Sequence, residues 1–202
     1  MTIKDAKTNF IVDETLALFF ERSISDVTVH DIAARAGVGE ATVYRYFSTK
    51  QNLVCAVATK LEKQIYETYF DLSSAENGYK KLELFYKSYL TIFNSHREFF
   101  KFINEFDAYM LSEGKTDNAE YESGLDMFKT LCSDAYAQGV SDGSITPVKD
   151  WNTFYYSTTH AMLELCKKLS NPDIVRQDVS ANKEEEVATL TEIILYKLKK
   201  HR

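Results

Sequence analysis

Proline and glycine are scarce in this sequence of 202 residues, which contains two prolines and seven glycines. Pro147 and Pro172 lie between segments in which apolar residues recur at helical spacing, so both are interpreted as helix breaks. No segment shows the alternation of apolar and polar residues that is typical of strands. The sequence also lacks a P-loop, a glycine-rich dinucleotide turn and a nucleophile elbow. It therefore predicts an all-α chain without an active site built from glycine-rich loops.

Cysteine and histidine are also sparse. The three cysteines, Cys55, Cys132 and Cys166, lie in apolar helical patterns. This placement favours buried thiols in a reducing compartment over a disulfide framework, with a redox sensor as the alternative. The four histidines are dispersed, and no two of them have the spacing of a metal site on a helix. We therefore expect no metal, no cofactor and no enzyme activity.

Long apolar runs and excess positive charge are missing as well. No apolar segment approaches the length of a membrane span, and the polar, charged N-terminus does not resemble a signal peptide, so a cytoplasmic protein with no membrane partner is expected. The formal net charge of −6 argues against a protein that coats nucleic acid without sequence preference. Sequence-specific DNA binding remains compatible with this charge, because phosphate contacts need only local lysines and hydroxyls.

The most informative segment is VTVHDIAARAGVGEATVYRYFSTKQNL, residues 27–53. Thr28 followed by Asp31 three residues later predicts the N-cap of a helix. Gly37 predicts a left-handed residue at its C-terminus, and Gly39 is expected to keep the following turn tight. Two short helices, a glycine turn and the start of a third helix are typical of a helix-turn-helix, although a helical hairpin with a charged face is the simpler alternative.

The second helix of this segment, predicted from Glu40 to Phe47, has three faces. Val43 and Phe47 should pack on the first helix. Thr49 is expected to cap the third helix, and a nearby phosphate would explain Lys50, because the helix dipole disfavours a lysine in a first turn. The exposed face is predicted to contain Glu40, Ala41, Tyr44 and Arg45, with the hydroxyls of Thr42 and Tyr46 on its flank.

Residues 28–38 (TVHDIAARAGV) and 42–53 (TVYRYFSTKQNL) resemble the N-terminal DNA-binding domain of TetR-family transcriptional regulators. The resemblance is close over about the first quarter of the chain and extends to the rest only in helical layout and length. It implies that Thr28, Thr42, Tyr46 and Lys50 hold phosphates and that the exposed face of the second helix reads bases. The full set of expected DNA-binding residues is Thr28, His30, Gly39, Glu40, Ala41, Thr42, Tyr44, Arg45, Tyr46 and Lys50.

Four residues depart from the family pattern. Gly39 stands where the family usually has a serine or threonine that contacts DNA, and Glu40 stands where many members have a basic or polar residue. Ala41 and Ser23 each replace a common glycine. Glu40 is either an acceptor for a cytosine amine or a residue that repels non-specific DNA, and the sequence leaves both interpretations open.

The periodicity predicts about nine helices in two domains: a helix-turn-helix DNA-binding domain, residues 1–49, and a helical effector-binding and dimerisation domain, residues 50–202. Gly139 is expected to end the seventh helix. Outside the motif, the predicted helices are Lys4–Arg22, Lys50–Leu72, Gly78–Asn94, His96–Leu111, Asn118–Gln138, Lys149–Leu169 and Asn182–Lys200.

The last two helices are apolar over a broad arc, which predicts contacts on more than one side. A homodimer would bring two helix-turn-helix units to two half-sites of one operator, and the usual family dimer also uses the last two helices. The alternative is burial in a monomeric core. The predicted interface residues are Trp151, Tyr155, Met162, Leu165, Leu190 and Ile194.

The middle helices are rich in aromatic residues, which indicates either ordinary core packing or an apolar pocket for a small ligand. The resemblance to the family implies an effector in this region. For His160, a satisfied interior or interface histidine is the alternative to a pocket residue or pH sensor. The candidate pocket residues are Phe102, Phe106, Tyr109, Phe128, Tyr155 and His160.

These observations together predict a sequence-specific DNA-binding transcriptional regulator. The expected form is a repressor that a small-molecule effector, not identified by the sequence, releases from a pseudo-palindromic operator on double-stranded DNA. Two alternatives remain. One is a DNA-binding module without a small-molecule effector, and the other is a helical ligand-binding protein that has lost DNA binding.

Overall fold

The computed structural model describes residues 2–114, 119–172 and 182–200 of the chain. Over these ranges the predicted all-α fold is confirmed, with one isolated β-bridge between Ile145 and Lys199. The described helices are α1 (Ile3–Glu21), α2 (Val29–Arg35), α3 (Glu40–Phe47), α4 (Lys50–Tyr69), α5 (Gly78–Ser95), α6 (Arg97–Glu113), α7 (Ala119–Ser141), α8 (Trp151–Ser170) and α9 (Lys183–Leu198). None of them is long and apolar enough to cross a membrane.

The helix ends follow local capping chemistry. Asn77 begins α5, Asp150 begins α8 and Asn182 begins α9, each by accepting a hydrogen bond on its side chain from a backbone N–H of the first turn. The last two helices therefore start one or two residues later than predicted from apolar spacing alone. The predicted start of the seventh helix at Asn118 lies outside the described residues.

The chain divides into two compact units. The first contains Met1–Lys63 and Phe102–Ser123, and the second contains Gln64–Lys101 and Gly124–Arg202. This division differs from the predicted boundary at residue 50, because the first half of α4 and most of α6 cluster with the helix-turn-helix. Helices α4, α6 and α7 each contribute residues to both units. The functional boundary between residues 49 and 50 stays a prediction.

In the first unit, α1 and α2 surround an apolar core that includes Ile32 and Val27, both with no measurable exposure. Arg35 on α2 forms ion pairs with Glu14 and Glu21 of α1, each at 3.1 Å. These pairs lie at the surface and add modestly to the apolar contacts between the two helices.

In the second unit, α5 packs against α8 and α9. Phe70, at the end of α4, meets the ring of Phe85 at 5.2 Å and that of Phe128 at 4.9 Å, both edge to face. Tyr86 is fully buried, and its hydroxyl lies 2.7 Å from the hydroxyl of Thr158. The aromatic residues of α5 therefore pack as core residues of this unit.

Gly139 does not end a helix, because α7 continues to Ser141. A Cβ on Gly78 would lie 2.0 Å from the backbone nitrogen of Gly139 and 2.5 Å from the carbonyl oxygen of Ala135. The two glycines therefore allow the start of α5 to approach the backbone of α7 closely, and this packing explains a glycine inside α7.

We predict that Gly78→Ala destabilises the protein by ~1–3 kcal/mol, because the added methyl group would overlap backbone atoms that cannot rotate away. Urea unfolding followed by far-UV circular dichroism measures this change. Gly39→Ser is the control, since a Cβ at Gly39 meets nothing within 4 Å and serine is favoured at the N-cap position that Gly39 occupies. Equal stability of the two variants would contradict the close backbone packing.

Candidate nucleic-acid interface

The start of α2 confirms the predicted cap. The hydroxyl oxygen of Thr28 accepts a hydrogen bond from the N–H of Asp31 at 3.1 Å, and the Thr28 N–H donates to the Asp31 carboxylate at 2.8 Å. The Thr28 hydroxyl also donates to that carboxylate at 2.8 Å. The backbone N–H and hydroxyl of Thr28 lower the pKa of Asp31. The hydroxyl proton that a phosphate contact would use is thus engaged inside the cap.

The turn between α2 and α3 depends on one glycine. Gly37 has φ of 62°, the left-handed conformation predicted for it. Gly39 is different: its φ is −78° with extended ψ, it caps α3 without a side chain, and a Cβ there would meet nothing within 4 Å. The prediction that Gly39 keeps the turn tight is therefore wrong, because other residues can adopt this conformation in the space available.

Helix α3 presents the faces that its spacing predicts. Val43 and Phe47 are buried, with 2% and 7% of their surface exposed. Thr42 and Tyr46 are half-buried on the flank. The outward face consists of the exposed residues Glu40, Ala41, Tyr44 and Arg45. Contact of this face with DNA stays a prediction.

The charges on this surface are partly paired. The His30 Nδ1 lies 2.9 Å from a carboxylate oxygen of Glu40, and the imidazole is the donor because a carboxylate only accepts. His30 on α2 thus contacts Glu40 on α3, one of the residues that depart from the family pattern. The guanidinium of Arg45 lies 5.2 Å from the ring centre of Tyr46. One acidic and one basic side chain therefore dominate the charge of α3.

Lys50 has contacts within the chain that its sequence position did not predict. Thr49 caps α4 as expected, by accepting from the N–H of Asn52 at 3.1 Å. The Lys50 ammonium, however, donates to the carbonyl oxygen of Ile24 at 2.5 Å and lies 5.0 Å from the ring centre of Tyr109. Burial lowers its pKa from the ordinary value. These contacts give a reason for a lysine in the first turn of α4 that needs no phosphate, and a phosphate contact of Lys50 stays a prediction.

The same Ile24 residue is held from a second side. Its backbone N–H donates to the carboxylate of Glu105 at 2.9 Å, and its side chain is 1% exposed. Phe102, one turn earlier on α6, stacks with Phe19 of α1 at 6.3 Å. No local pattern in the sequence indicates this contact, which joins residues 81 positions apart.

The predicted pocket residues are not brought together in one unit. Phe102, Phe106 and Tyr109 are buried in the first unit, and Phe128 and Tyr155 belong to the second. His160 is exposed, with its ring 5.6 Å from that of Tyr156. His160 is therefore a surface residue of the second unit, which corrects the interpretations that placed it in the interior and leaves an interface position as a prediction.

The predicted interface residues divide into core and surface. Tyr155, Met162 and Ile194 are 6%, 0% and 4% exposed within the single chain, so they offer almost no surface to a partner and the interface prediction does not hold for them. Trp151 is half-buried, stacks on Tyr136 at 3.9 Å and donates to the hydroxyl of Ser133 at 2.9 Å. The broad apolar arc of the last two helices did not identify the interface residues, because one side of this arc packs within the chain.

Leu165 and Leu190 remain candidates for a partner contact. Both are half-buried, and both line an open cleft of about 470 Å³ between α8 and α9. Ile193 lines the same cleft and is 62% exposed, although sequence reasoning did not select it. An exposed isoleucine one turn after Leu190 was the signal that would have identified it.

Metal chemistry finds no support in the part of the chain that the structure describes, because it contains no cluster of three or more histidine, cysteine, aspartate or glutamate side chains able to hold an ion. The three cysteines are free and buried. Burial raises the pKa of the Cys166 thiol to about 12, which disfavours the reactive thiolate.

Comparisons with known proteins agree with the helix-turn-helix. Residues 11–57 match the family described as bacterial regulatory proteins, tetR family. Uncharacterised HTH-type transcriptional regulators from Mycobacterium bovis and Mycobacterium tuberculosis are 40% identical over 55 residues, which cover 27% of this chain. The match spans only 26% of the length of these relatives, so it concerns their helix-turn-helix segments.

Solved structures are similar over nearly the full length. A putative TetR-family regulator from Mesorhizobium loti has a TM-score of 0.72 and 16% identity, and the alignment covers 99% of this chain and 100% of that one. The RolR protein in complex with the ligand resorcinol has a TM-score of 0.66 and 16% identity, with 96% and 88% of the two chains covered. At this identity the likeness establishes the fold alone.

The contacts of Lys50 predict a loss of stability in Lys50→Met. Removal of the charged donor leaves the buried Ile24 carbonyl without its partner, so the free energy of unfolding should fall by ~1–3 kcal/mol. Chemical denaturation measures this value, with the exposed Lys7→Met on α1 as the control. Unchanged stability together with a shallower salt dependence of DNA binding would restore the phosphate assignment.

Proposed function

We propose that the chain is a sequence-specific transcriptional repressor of the TetR family of bacterial regulatory proteins, whose model matches its residues 11–57. Members of this family are DNA-binding regulators. In our proposal, a dimer of the chain binds a pseudo-palindromic operator, and a small-molecule effector releases it. The observation that carries the proposal is the exposed face of α3, which follows the glycine turn at Gly37.

The side chains on α3 support readout of bases in the major groove. Tyr44 is 48% exposed, and Arg45 can donate two hydrogen bonds to a guanine edge. Thr42 and Tyr46 lie on the flank of the same helix, where hydroxyls suit phosphate contacts. We assign base preference to Tyr44 and Arg45 and positioning to Thr42 and Tyr46.

An effector would act through helices that reach the DNA-binding unit. Glu105 on α6 and Lys50 on α4 both hydrogen-bond the backbone of Ile24, which connects α1 to the start of the helix-turn-helix. A change in either helix would therefore move the segment that leads into α2. A coupling free energy of about 1–3 kcal/mol gives a 5–150-fold change in DNA affinity. The resorcinol complex of a protein with the same fold supports a small-molecule effector.

A second copy of the chain is the proposed partner of the open cleft between α8 and α9. Leu165, Leu190 and Ile193 give the cleft an apolar lining, and large apolar side chains gain free energy when a partner covers them. Two-fold symmetry would present two α3 helices to half-sites about 34–36 Å apart. The dimer therefore provides the symmetry that a pseudo-palindromic operator requires.

Selection of bound sequences from a random DNA pool tests the DNA-binding proposal. The wild-type protein should enrich one pseudo-palindromic sequence. Arg45→Ala is expected to change the preferred bases, because its side chain is assigned to a base edge. Tyr46→Phe is the matched control: it should weaken binding to all sequences by roughly tenfold without changing the preference, because a lost phosphate bond carries no sequence information.

Two results would contradict this assignment. An Arg45→Ala protein with the wild-type base preference would remove Arg45 from the reading face. A wild-type protein that enriches no sequence, and whose binding to any DNA is insensitive to salt, would overturn the proposed function itself.

Light scattering tests the dimer. Wild-type protein at micromolar concentration should have the mass of two chains, and Ile193→Glu should have the mass of one, because a carboxylate would be buried at the interface. Leu111→Glu is the matched control, since Leu111 is 84% exposed on α6 and lies in the other unit. A monomeric wild-type protein, or equal dissociation of both variants, would count against an interface at this cleft.

A further inference from the structure

Glu62 is an unusual residue in the first unit. It lies on α4 and is 5% exposed, although a glutamate side chain is ordinarily at the surface. One of its carboxyl oxygens, Oε2, is buried without a hydrogen-bond partner among the described residues. Buried polar atoms in folded proteins are nearly always paired, so an unpartnered carboxyl oxygen indicates a group that binds something else.

The electrostatic surroundings of Glu62 disfavour its negative charge. Burial raises its pKa to about 8, the hydrogen bond with Tyr121 acts in the opposite direction, and the carboxylate of Asp107 raises it further. No lysine or arginine is among the groups that shift this pKa in the described part of the chain. Among the described residues of the first unit, this buried acid therefore has no cationic partner.

A pair of aromatic residues extends from this carboxyl group, of which Tyr121 contacts it directly. Tyr121 bonds Glu62, and its ring centre is 4.8 Å from that of Phe106. The face of an aromatic ring attracts a cation, and aromatic residues combined with an acid recognise organic ammonium groups. All of these residues, like Asp107, belong to the first unit.

We propose that Glu62 is the residue that binds the ammonium group of an organic amine in the first unit, with Tyr121 and Phe106 contacting the apolar part of the ligand. This inference rests on the proposed function, because it names the chemical class of the effector. An ammonium group would donate to the unpartnered oxygen and would supply a positive charge that the described residues around Glu62 do not. A neutral donor of the same shape supplies only the hydrogen bond.

Binding of an amine should be linked to the ionisation of Glu62. The free protein holds this carboxyl group largely protonated at pH 7, because its pKa is about 8. The ammonium group favours the ionised form, so binding releases a proton from Glu62. Affinity for an amine that stays charged should therefore rise by at least tenfold between pH 6 and pH 8, as protonated Glu62 becomes less abundant.

Calorimetry with matched pairs of compounds tests the proposal. The probes are butylamine, hexylamine, benzylamine and phenethylamine, each paired with the alcohol of the same carbon skeleton. Each compound is titrated into the full-length protein in its native oligomeric state. At least one amine should bind about tenfold or more tightly than its alcohol. Titration in two buffers with different heats of ionisation should show release of close to one proton for each amine bound at pH 7.

Glu62→Gln should weaken binding of that amine by at least tenfold and abolish proton release, while leaving the affinity for the alcohol unchanged. The matched control is Glu67→Gln, which changes an exposed glutamate on the same helix and should have no effect. If Glu62→Gln fails to fold, the pH dependence and proton release of the wild-type protein decide the question. Amines that bind no better than their alcohols, or amine binding that is independent of pH, would overturn the proposal.

The effect on DNA separates this inference from the proposed function. Release of the selected DNA by the bound amine supports both. An amine that binds through Glu62 but leaves DNA affinity unchanged supports the amine site and contradicts its role as the effector. Sequence-specific DNA binding without any amine preference overturns the amine site and leaves the regulator intact.

Discussion

The position of the helix-turn-helix depends on how the backbone of Ile24 is held. Its carbonyl oxygen accepts from the Lys50 ammonium at 2.5 Å, and its N–H donates to the Glu105 carboxylate at 2.9 Å. Partly buried charges are stable only when they are hydrogen-bonded, and here a backbone group satisfies each one. Helices α4 and α6 thus meet at the segment that connects α1 to α2. This contact explains why the first half of α4 and most of α6 cluster with the DNA-binding part of the chain.

The features that the sequence predicts correctly depend on neighbours within about one helical turn. The cap formed by Thr28 and Asp31, the left-handed Gly37 and the buried Val43 and Phe47 follow from spacings of three or four residues. The same local rules identify the helices of the second unit. For this reason the fold and the exposed face of α3 were predictable without knowledge of tertiary contacts.

The features that sequence reasoning missed join residues far apart in the chain. Lys50 contacts a carbonyl 26 positions earlier, so its local position suggested a phosphate where the partner is in fact a backbone oxygen. Gly139 lies inside the last turn of α7, two residues before its end, where Gly78 packs against it. Met162 is buried within the chain, whereas Ile193 on the neighbouring helix is exposed. Apolar spacing identifies a face that needs a partner but does not distinguish a partner in the same chain from one in a second copy.

The ion pairs of the first unit determine which interactions remain for DNA. Arg22 pairs with Asp31 at 3.4 Å, and Arg35 pairs with two glutamates of α1, so these cations are partly neutralised within the fold. Lys50 is turned toward Ile24. In the proposed regulator, affinity then depends on Arg45 and on hydroxyl and base contacts more than on release of counterions. Because the non-specific attraction between the protein and DNA is then weak, the total free energy of DNA binding that an effector must oppose is smaller. A coupling of about 1–3 kcal/mol is then sufficient to release such a protein from its operator.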